Sequence, residues 1–305
     1  MSIKEEEIYK VVDIVRKNRY RIPNSYGNPG GLIDLLNVDK PVLVIGDLHG
    51  AIDNLISIVE HEDNIQRLKN GEIILIIIGD GMHNDQTGQM REMQSSLLVL
   101  EEVYRLILEY KESVLYIRGN HDTFEERLAK SSIQQGLEFR NYLLEHRSES
   151  YIEATSEFFD SLPFMILGEK YIITHAGPIR NGASRHEIID IEDNPDYVHQ
   201  LVWNRLHEFR GTPSLKEYDE RDIRKMIEKL KMPDDSFFIV GHNPMWSTGD
   251  KTGIWRDIIG IKNHIIIYTN IPTRGPYLYI ENGTVTEKFA IESSGKLEGN
   301  YVWRN

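Results

Sequence analysis

Short apolar runs, each closed by a small polar cluster, organise this chain. Pro41–Ile45, Ile73–Ile78, Val114–Ile117, Tyr171–Ile173 and Phe237–Val240 are compact and show little alternation. Runs of that kind predict strands buried on both faces. Within a residue of their ends come Gly46-Asp47-Leu48-His49-Gly50, Gly79-Asp80, Gly119-Asn120-His121-Asp122, Thr174-His175-Ala176-Gly177 and Gly241-His242-Asn243-Pro244. Helical spacing near 51–66 and 90–111 separates the first three runs, which makes two βαβ crossovers and parallel strands.

The rest of the pattern is coarser. Ile8, Val11, Val12 and Val15 predict an amphipathic helix within 3–18, and Arg21–Gly31, rich in Pro and Gly, reads as a loop. Residues 1–40 are therefore expected to be a helical extension before a single domain that takes up the whole chain, 1–305. Residues 123–160 look helical and polar. Phe164–Leu167 and Tyr171–Ile173 form a hairpin, and 178–235 reads as a mainly helical insertion. Its main helix is expected over Leu215–Lys231, with Ser214 and Glu217 as the capping pair. Strands return at 237–240, 264–268, 277–281 and 284–290, the last two turning at Asn282-Gly283. The mixture predicts an α/β fold in which two mixed sheets pack as a sandwich flanked by helices. A single open Rossmann sheet competes, but no G-x-G-x-x-G follows the first strand.

Composition narrows the chemistry. The 305 residues carry 48 acidic and 35 basic side chains, a formal charge of −13, which disfavours a nucleic-acid or anionic membrane partner. Cysteine is absent, which excludes disulfides, thiolate catalysis and thiolate metal sites. The charged N-terminus is no signal peptide, and the longest apolar run, Ile73–Ile78, is far below the roughly 20 residues of a membrane span. A cytoplasmic protein is expected.

Ligand sites in open α/β sheets lie outside the carboxyl ends of strands. There the five clusters assemble Asp47, His49, Asp80, Asn120, His121, His175 and His242. Carboxylate, amide and imidazole donors together suit two divalent metal ions, Mn²⁺ first, with Fe or Zn²⁺ as alternatives to the oxygen-seeking Mg²⁺ and Ca²⁺. Asp47 and His49 would serve one ion, Asp80 would bridge, and Asn120, His175 and His242 would complete the second. Such a pair holds a bridging hydroxide for in-line attack on a phosphate ester. His121, next to the ligand Asn120, is the candidate to protonate the leaving alkoxide. Asp122 is grouped with it as a catalytic candidate, although its side chain could point elsewhere.

These five motifs, in order across 42–244, resemble the calcineurin-like metallophosphoesterase family. The resemblance implies a β-sandwich flanked by helices and a hydrolase using two metals. Pro244 ends the last motif as in the branch containing protein Ser/Thr phosphatases and symmetrical dinucleoside tetraphosphate hydrolases. The implied substrates are a phosphorylated small molecule, a nucleotide or a phosphoprotein. The second motif departs from that branch. His83 stands where an aspartate pairs with the catalytic histidine, and Asn84 where an arginine grips phosphate. Asp85 could supply the missing carboxylate. His83 could contact substrate, act as an acid or fill the loop. Arg205, in Trp203-Asn204-Arg205, resembles a phosphate-binding Trp-x-Arg segment, and Arg180 is the second choice. A degenerate relative that keeps metal but has lost catalysis is the alternative. His61, His146, His186, His199, His207 and His264 are expected to be structural, and Trp246 and Trp255 to pack under a loop.

Overall fold

A computed structural model of the chain describes residues 2–84, 91–126, 128–130, 132–209, 211–272 and 274–291. Among them, a five-stranded sheet has the order Thr284–Ile291, Arg274–Glu281, Val42–Ile45, Ile74–Ile77, Val114–Tyr116. A seven-stranded sheet has the order Arg21–Pro23, Pro29–Leu35, Met165–Gly168, Tyr171–Thr174, Phe237–Val240, His264–Ile267, Ile254–Arg256. Each sheet holds a parallel trio at the end that matters: 42–45, 74–77 and 114–116 in one, 171–174, 237–240 and 264–267 in the other. The two mixed sheets form the sandwich that the pattern predicts.

The uniform apolar runs follow from this layering, because successive side chains on a strand leave from opposite faces. Val42, Val44, Ile74, Ile76 and Leu115 meet Ile173, Ile239, Ile265 and Ile267 between the sheets. Leu43, Ile45, Leu75, Ile77 and Tyr116 pack outward against helices, as Ile172, Phe238, Val240 and Ile266 do on the other side. Neither face of these strands is left for polar residues.

Several boundaries differ from expectation. Residues 1–40 are not a helical extension throughout. Helix Glu5–Arg16 is there, but Pro29–Leu35 is a strand paired in parallel with Met165–Gly168. Its glycines read as loop residues, yet they are demanded by crowding. A Cβ at Gly30 would lie 2.5 Å from the Ile22 carbonyl, and one at Gly31 2.6 Å from that of Ile188. The 51–66 helix divides into Ile52–Glu60 and Asn64–Lys69, with the Asn64 side chain donating to the Ile58 carbonyl at 2.8 Å. The helix expected from 215 spans Glu220–Leu230, capped by Asp219 and Asp222. Ser214 and Glu217 close a turn instead, the Ser214 amide donating to Glu217 Oε2 at 2.8 Å. Strand Ile254–Arg256, which pairs with His264–Ile267, was not anticipated. No helix among the described residues is long and apolar enough to cross a membrane.

The polar-looking 123–160 segment contributes to the core. Helices Gln135–His146 and Glu149–Asp160 bury Phe139, Leu143, Tyr151, Ile152, Phe158 and Phe159. Glu149–Asp160 contacts helix Glu5–Arg16, which also touches Gln94–Tyr110. Phe158 is fully buried, edge-on to Tyr104 at 5.0 Å and near Tyr116 at 5.9 Å. Phe158→Ala is expected to cost about 3–5 kcal/mol. Urea unfolding checks this, with a lower midpoint and an unchanged slope.

Candidate metal centre

Asp80 sits where both parallel trios end. Its Oδ2 lies 3.3 Å from His175 Nε2, 3.8 Å from His49 Nε2 and 4.0 Å from His121 Nε2. His49, Asp80 and His121 can converge on one ion, and Asp80, His175 and His242 on another. Asp47 Oδ2 is 3.7 Å from His49 Nε2, and Asn120 Oδ1 is 3.0 Å from His175 Nε2. The six expected ligands therefore come together, all of them buried.

Local backbone explains how. Asp47 and His49 do not project from an extended strand end; His49 has φ +41° in a turn. The amides of Leu48 and His49 donate to the Asp80 carbonyl at 3.1 and 2.9 Å, which lashes the first loop to the second. Glycines let the loops close in. A Cβ on Gly119 would fall 2.2 Å from Asp80 Oδ1, and one on Gly241 2.1 Å from Asp47 Oδ1. The His121 amide donates to Asp80 Oδ1 at 2.8 Å, and the His242 amide donates to both oxygens of Asp47 at 3.0–3.1 Å.

The donor set fits metal. His49 Nδ1 is 3.0 Å from the Met82 carbonyl and His175 Nδ1 2.7 Å from that of Ile78. Each Nδ1 therefore carries the proton, and each Nε2 turns toward the carboxylates, the arrangement that outer partners impose on metal-binding imidazoles. His242 Nε2 is buried with no hydrogen-bond partner among the described residues, which a cation would remedy.

Electrostatics points the same way. Burial pushes the Asp47 carboxyl up to about 6, against the pull of His175. Burial also opposes charge on Asp80, yet His175, His121 and His49 hold its pKa well below the usual range. Burial works against the His175 imidazolium too, but Asp80 and Asp47 raise it to about 9. His242 is held neutral by burial, by His175 and by Arg205. Without metal, a proton on His175 supplies positive charge that the carboxylates require.

The remaining expected residues divide. His121 turns Nε2 to Asp80 and Nδ1 to His83 Nδ1, 2.7 Å away. His83, for which a substrate contact, an acid and loop filling were the three readings, is wholly buried, with its Nδ1 against His121. Asp122 also faces inward. Its Oδ2 accepts from the amides of Gly119 at 2.6 Å and Asp80 at 3.3 Å, and its Oδ1 from the Tyr116 hydroxyl at 2.8 Å. Its carboxylate thus ties the 119–122 loop to the Asp80 amide and to Tyr116. Asp85 lies outside the described residues.

Arg205 is exposed and donates from Nη1 to Asn243 Oδ1 at 2.9 Å, beside His242. Arg180 donates to the Ser214 carbonyl at 3.0 Å. His264 is structural, between Tyr218 Oη and the Phe238 carbonyl, each at 3.0 Å.

Three features escaped the sequence reading. A sixth strand end, Tyr268-Thr269-Asn270, fastens the sheets together: the amides of Thr269 and Asn270 donate to the Asp47 carbonyl at 3.0 and 2.9 Å. The apolar run ahead of it was visible, but its closing residues carry no ligand type. Trp203 stands edge-on to His242 at 5.9 Å, and His199 stacks on Trp203 at 6.1 Å. Trp246 meets Tyr268 at 5.6 Å, and Tyr268 in turn meets His49 at 5.7 Å.

Comparison with known proteins shows the family. The family model for calcineurin-like phosphoesterases matches residues 40–262, and the chain belongs to that family. It is 25% identical over 178 residues to the serine/threonine-protein phosphatase 4 catalytic subunit of Kluyveromyces lactis, covering 56% of this chain and 51% of that protein. The Eremothecium gossypii counterpart is 30% identical over 90 residues, 30% of this chain and 25% of that protein. The chain thus spans about half the length, or less, of the curated relatives it matches. A Saccharomyces cerevisiae protein serine/threonine phosphatase with similarity to human phosphatase PP5 shares the fold, with TM-score 0.71, 14% identity and coverage of 94% and 88%. So does a cold-active protein-tyrosine phosphatase from a psychrophilic Shewanella, with TM-score 0.55, 14% identity and coverage of 91% and 84%.

Two outcomes are expected. Gly119→Ala places a methyl on the Asp80 carboxylate and should weaken metal binding about 10–100-fold, read by calorimetry. Because the His175 pKa lies near 9, loading Mn²⁺ or Zn²⁺ at pH 7 should expel about one proton per protein. Below pH 6 the Asp47 proton competes as well, so affinity should fall as pH drops. Calorimetry in buffers of different ionisation enthalpy measures both.

Proposed function

We propose that this chain is a metal-dependent phosphatase that hydrolyses a phosphate monoester. The observation that carries the reading is that one buried carboxylate, Asp80, belongs to both ligand groups. On this reading Asp47, His49 and Asp80 hold one ion, and Asp80, Asn120, His175 and His242 hold the other. Mixed oxygen and imidazole donors favour Mn²⁺, with Fe or Zn²⁺ next. When bound, the metals supply an activated water and positive charge for the phosphoryl oxygens.

The chain's own residues do the rest. His121 Nε2, 4.0 Å from Asp80 Oδ2, faces the reacting volume and gives its proton to the departing alkoxide oxygen. Asp122 positions the 119–122 loop through its two amide contacts. Arg205, tethered to Asn243 beside His242, swings its remaining donors to the phosphate. Arg180 would have to leave the Ser214 carbonyl to help.

Phosphoproteins are the best-supported substrates, because the curated relatives and the structural neighbours are phosphatases acting on proteins by name. Trp203 and Trp246, each near a ligand histidine or its neighbour and about 40% exposed, keep nucleoside polyphosphates as the second reading. Planar bases stack on such rings.

A panel of p-nitrophenyl phosphate, a phosphopeptide and diadenosine tetraphosphate, assayed with Mn²⁺, separates these readings. Activity on the first two is expected. His121→Ala should lower kcat about 10²–10⁴-fold with metal content unchanged. A metal-loaded protein inert toward all three would instead support the degenerate, non-catalytic alternative.

A further inference from the structure

A concave cluster of cations lies apart from the candidate metal centre. Asn120 follows the carboxyl end of strand Val114–Tyr116, whereas the turn Lys111–Ser113 leads into its other end. At that turn a cavity of about 470 Å³ is lined by Lys10, Lys17, Arg19 and Lys111, with Asp13 and Glu112 as its acidic members. Four positive charges against two negative ones leave a net +2, in a chain whose formal charge is −13. Ligand pockets commonly hold about 300–1,000 Å³, so this space suits a small molecule.

Three separate elements bring the cations together. Helix Glu5–Arg16 buries Ile8, Val11, Val12 and Val15. Lys10, Ile14 and Lys17 share another face, at the i, i+4, i+7 spacing. Lys17 Nζ is held by Asp13 Oδ2 at 2.9 Å. Arg19 lies over the Tyr20 ring at 4.8 Å, donates to the Tyr20 hydroxyl at 2.7 Å and keeps Nε 3.9 Å from Glu112 Oε1. Lys111 ends helix Gln94–Tyr110 with φ +49° and ψ −122°, its amide donating to the Ile107 carbonyl. Glycine adopts such a conformation freely, yet the chain holds a lysine in it. Lys10 and Lys111 form no ion pair among the described residues. Two anchored cations and two unpaired ones thus share the cavity with the apolar Ile14.

We propose that this cavity binds a small organic dianion, two acidic groups on a short apolar body. The unpaired ammonium groups of Lys10 and Lys111, carried by different elements, each take one acidic group. The Arg19 guanidinium adds directional donors, and the body covers Ile14. Asp13 and Glu112 repel an extended polyanion such as a nucleic-acid strand. Dicarboxylates and molecules with tetrahedral acidic groups share the required chemistry. The site is independent of the phosphatase reading.

Calorimetric titration of the metal-loaded full chain with 1,5-naphthalenedisulfonate and with glutarate tests the site. Neither probe is a phosphate ester, so neither is turned over. Saturable one-to-one binding of at least one is expected, the disulfonate marking tetrahedral acidic groups and glutarate carboxylates. Lys10→Gln and Lys111→Gln should each weaken that binding about tenfold, as loss of a hydrogen bond to a charged group does. Asp13→Asn, which frees Lys17, should tighten it about two- to fivefold. Lys229→Gln removes the same charge from helix Glu220–Leu230 and should leave affinity unchanged. All four side chains are exposed, so the variants keep the fold. Absence of saturable binding by either probe would overturn the proposal. So would affinity indifferent to Lys10→Gln and Lys111→Gln, or a loss in Lys229→Gln equal to theirs.

Discussion

The confinement of two buried carboxylates in one pocket governs this molecule. Asp47 and Asp80 are each about 1% exposed, and His49 Nε2 stands 3.7 and 3.8 Å from the two. At an effective dielectric near 20, unit charges about 4 Å apart interact by about 4 kcal/mol. Contacts of that range to positive charge must offset the burial of both carboxylates and the repulsion between them. In the protein alone the offset comes from a proton on His175 and from depressed ionisation of Asp47. Divalent ions would provide it more fully, and surrounding imidazoles are already turned to receive them. The site is therefore a stored electrostatic demand.

That demand can exist only because the backbone around it is locked. Amides of Leu48, His49, His121 and His242 are aimed at Asp80 or Asp47, and amides of Thr269 and Asn270 hold the Asp47 carbonyl. Glycines at 46, 79, 119 and 241 permit approaches that a methyl would forbid, such as 2.4 Å from a Cβ on Gly46 to the Ile267 carbonyl. The two sheets therefore meet at the candidate metal centre through hydrogen bonds as well as through the apolar layer between them. Rigid placement of this kind is what a catalytic constellation needs.

The 178–235 segment is fastened to the same frame. Tyr218 is buried, with its hydroxyl 3.0 Å from His264 Nε2, and a Cβ on Gly177 would collide with its ring at 2.3 Å. Helix Pro195–Trp203 then carries Trp203 to the edge of His242, and strand Arg205–Leu206 sets Arg205 beside Asn243. Exposed Phe209 and Leu215 belong to the same segment. Trp203 and Arg205, beside His242 and Asn243, thus come from the part of the chain with the least readable pattern.

The sequence determined the layered fold and brought out the candidate ligand set. Strands buried on both faces must be apolar at every position, and donors at their carboxyl ends must be of metal-binding types, so both leave a mark in one dimension. It did not distinguish Ser214-Glu217 from Asp219-Asp222 as a helix cap, since both pairs have the same spacing and only the strand Glu217–Tyr218 excludes the first. Nor did it reveal Pro29–Leu35 as a strand, because its glycines answer to carbonyls of Ile22 and Ile188 that are remote or unplaced in the sequence. The placement of His83 belongs to tertiary structure as well. Whether an imidazole touches substrate or stands behind another ring depends on which way two loops, 38 residues apart, face one another. Local chemistry fixes what a residue can do, and only packing decides what it can reach.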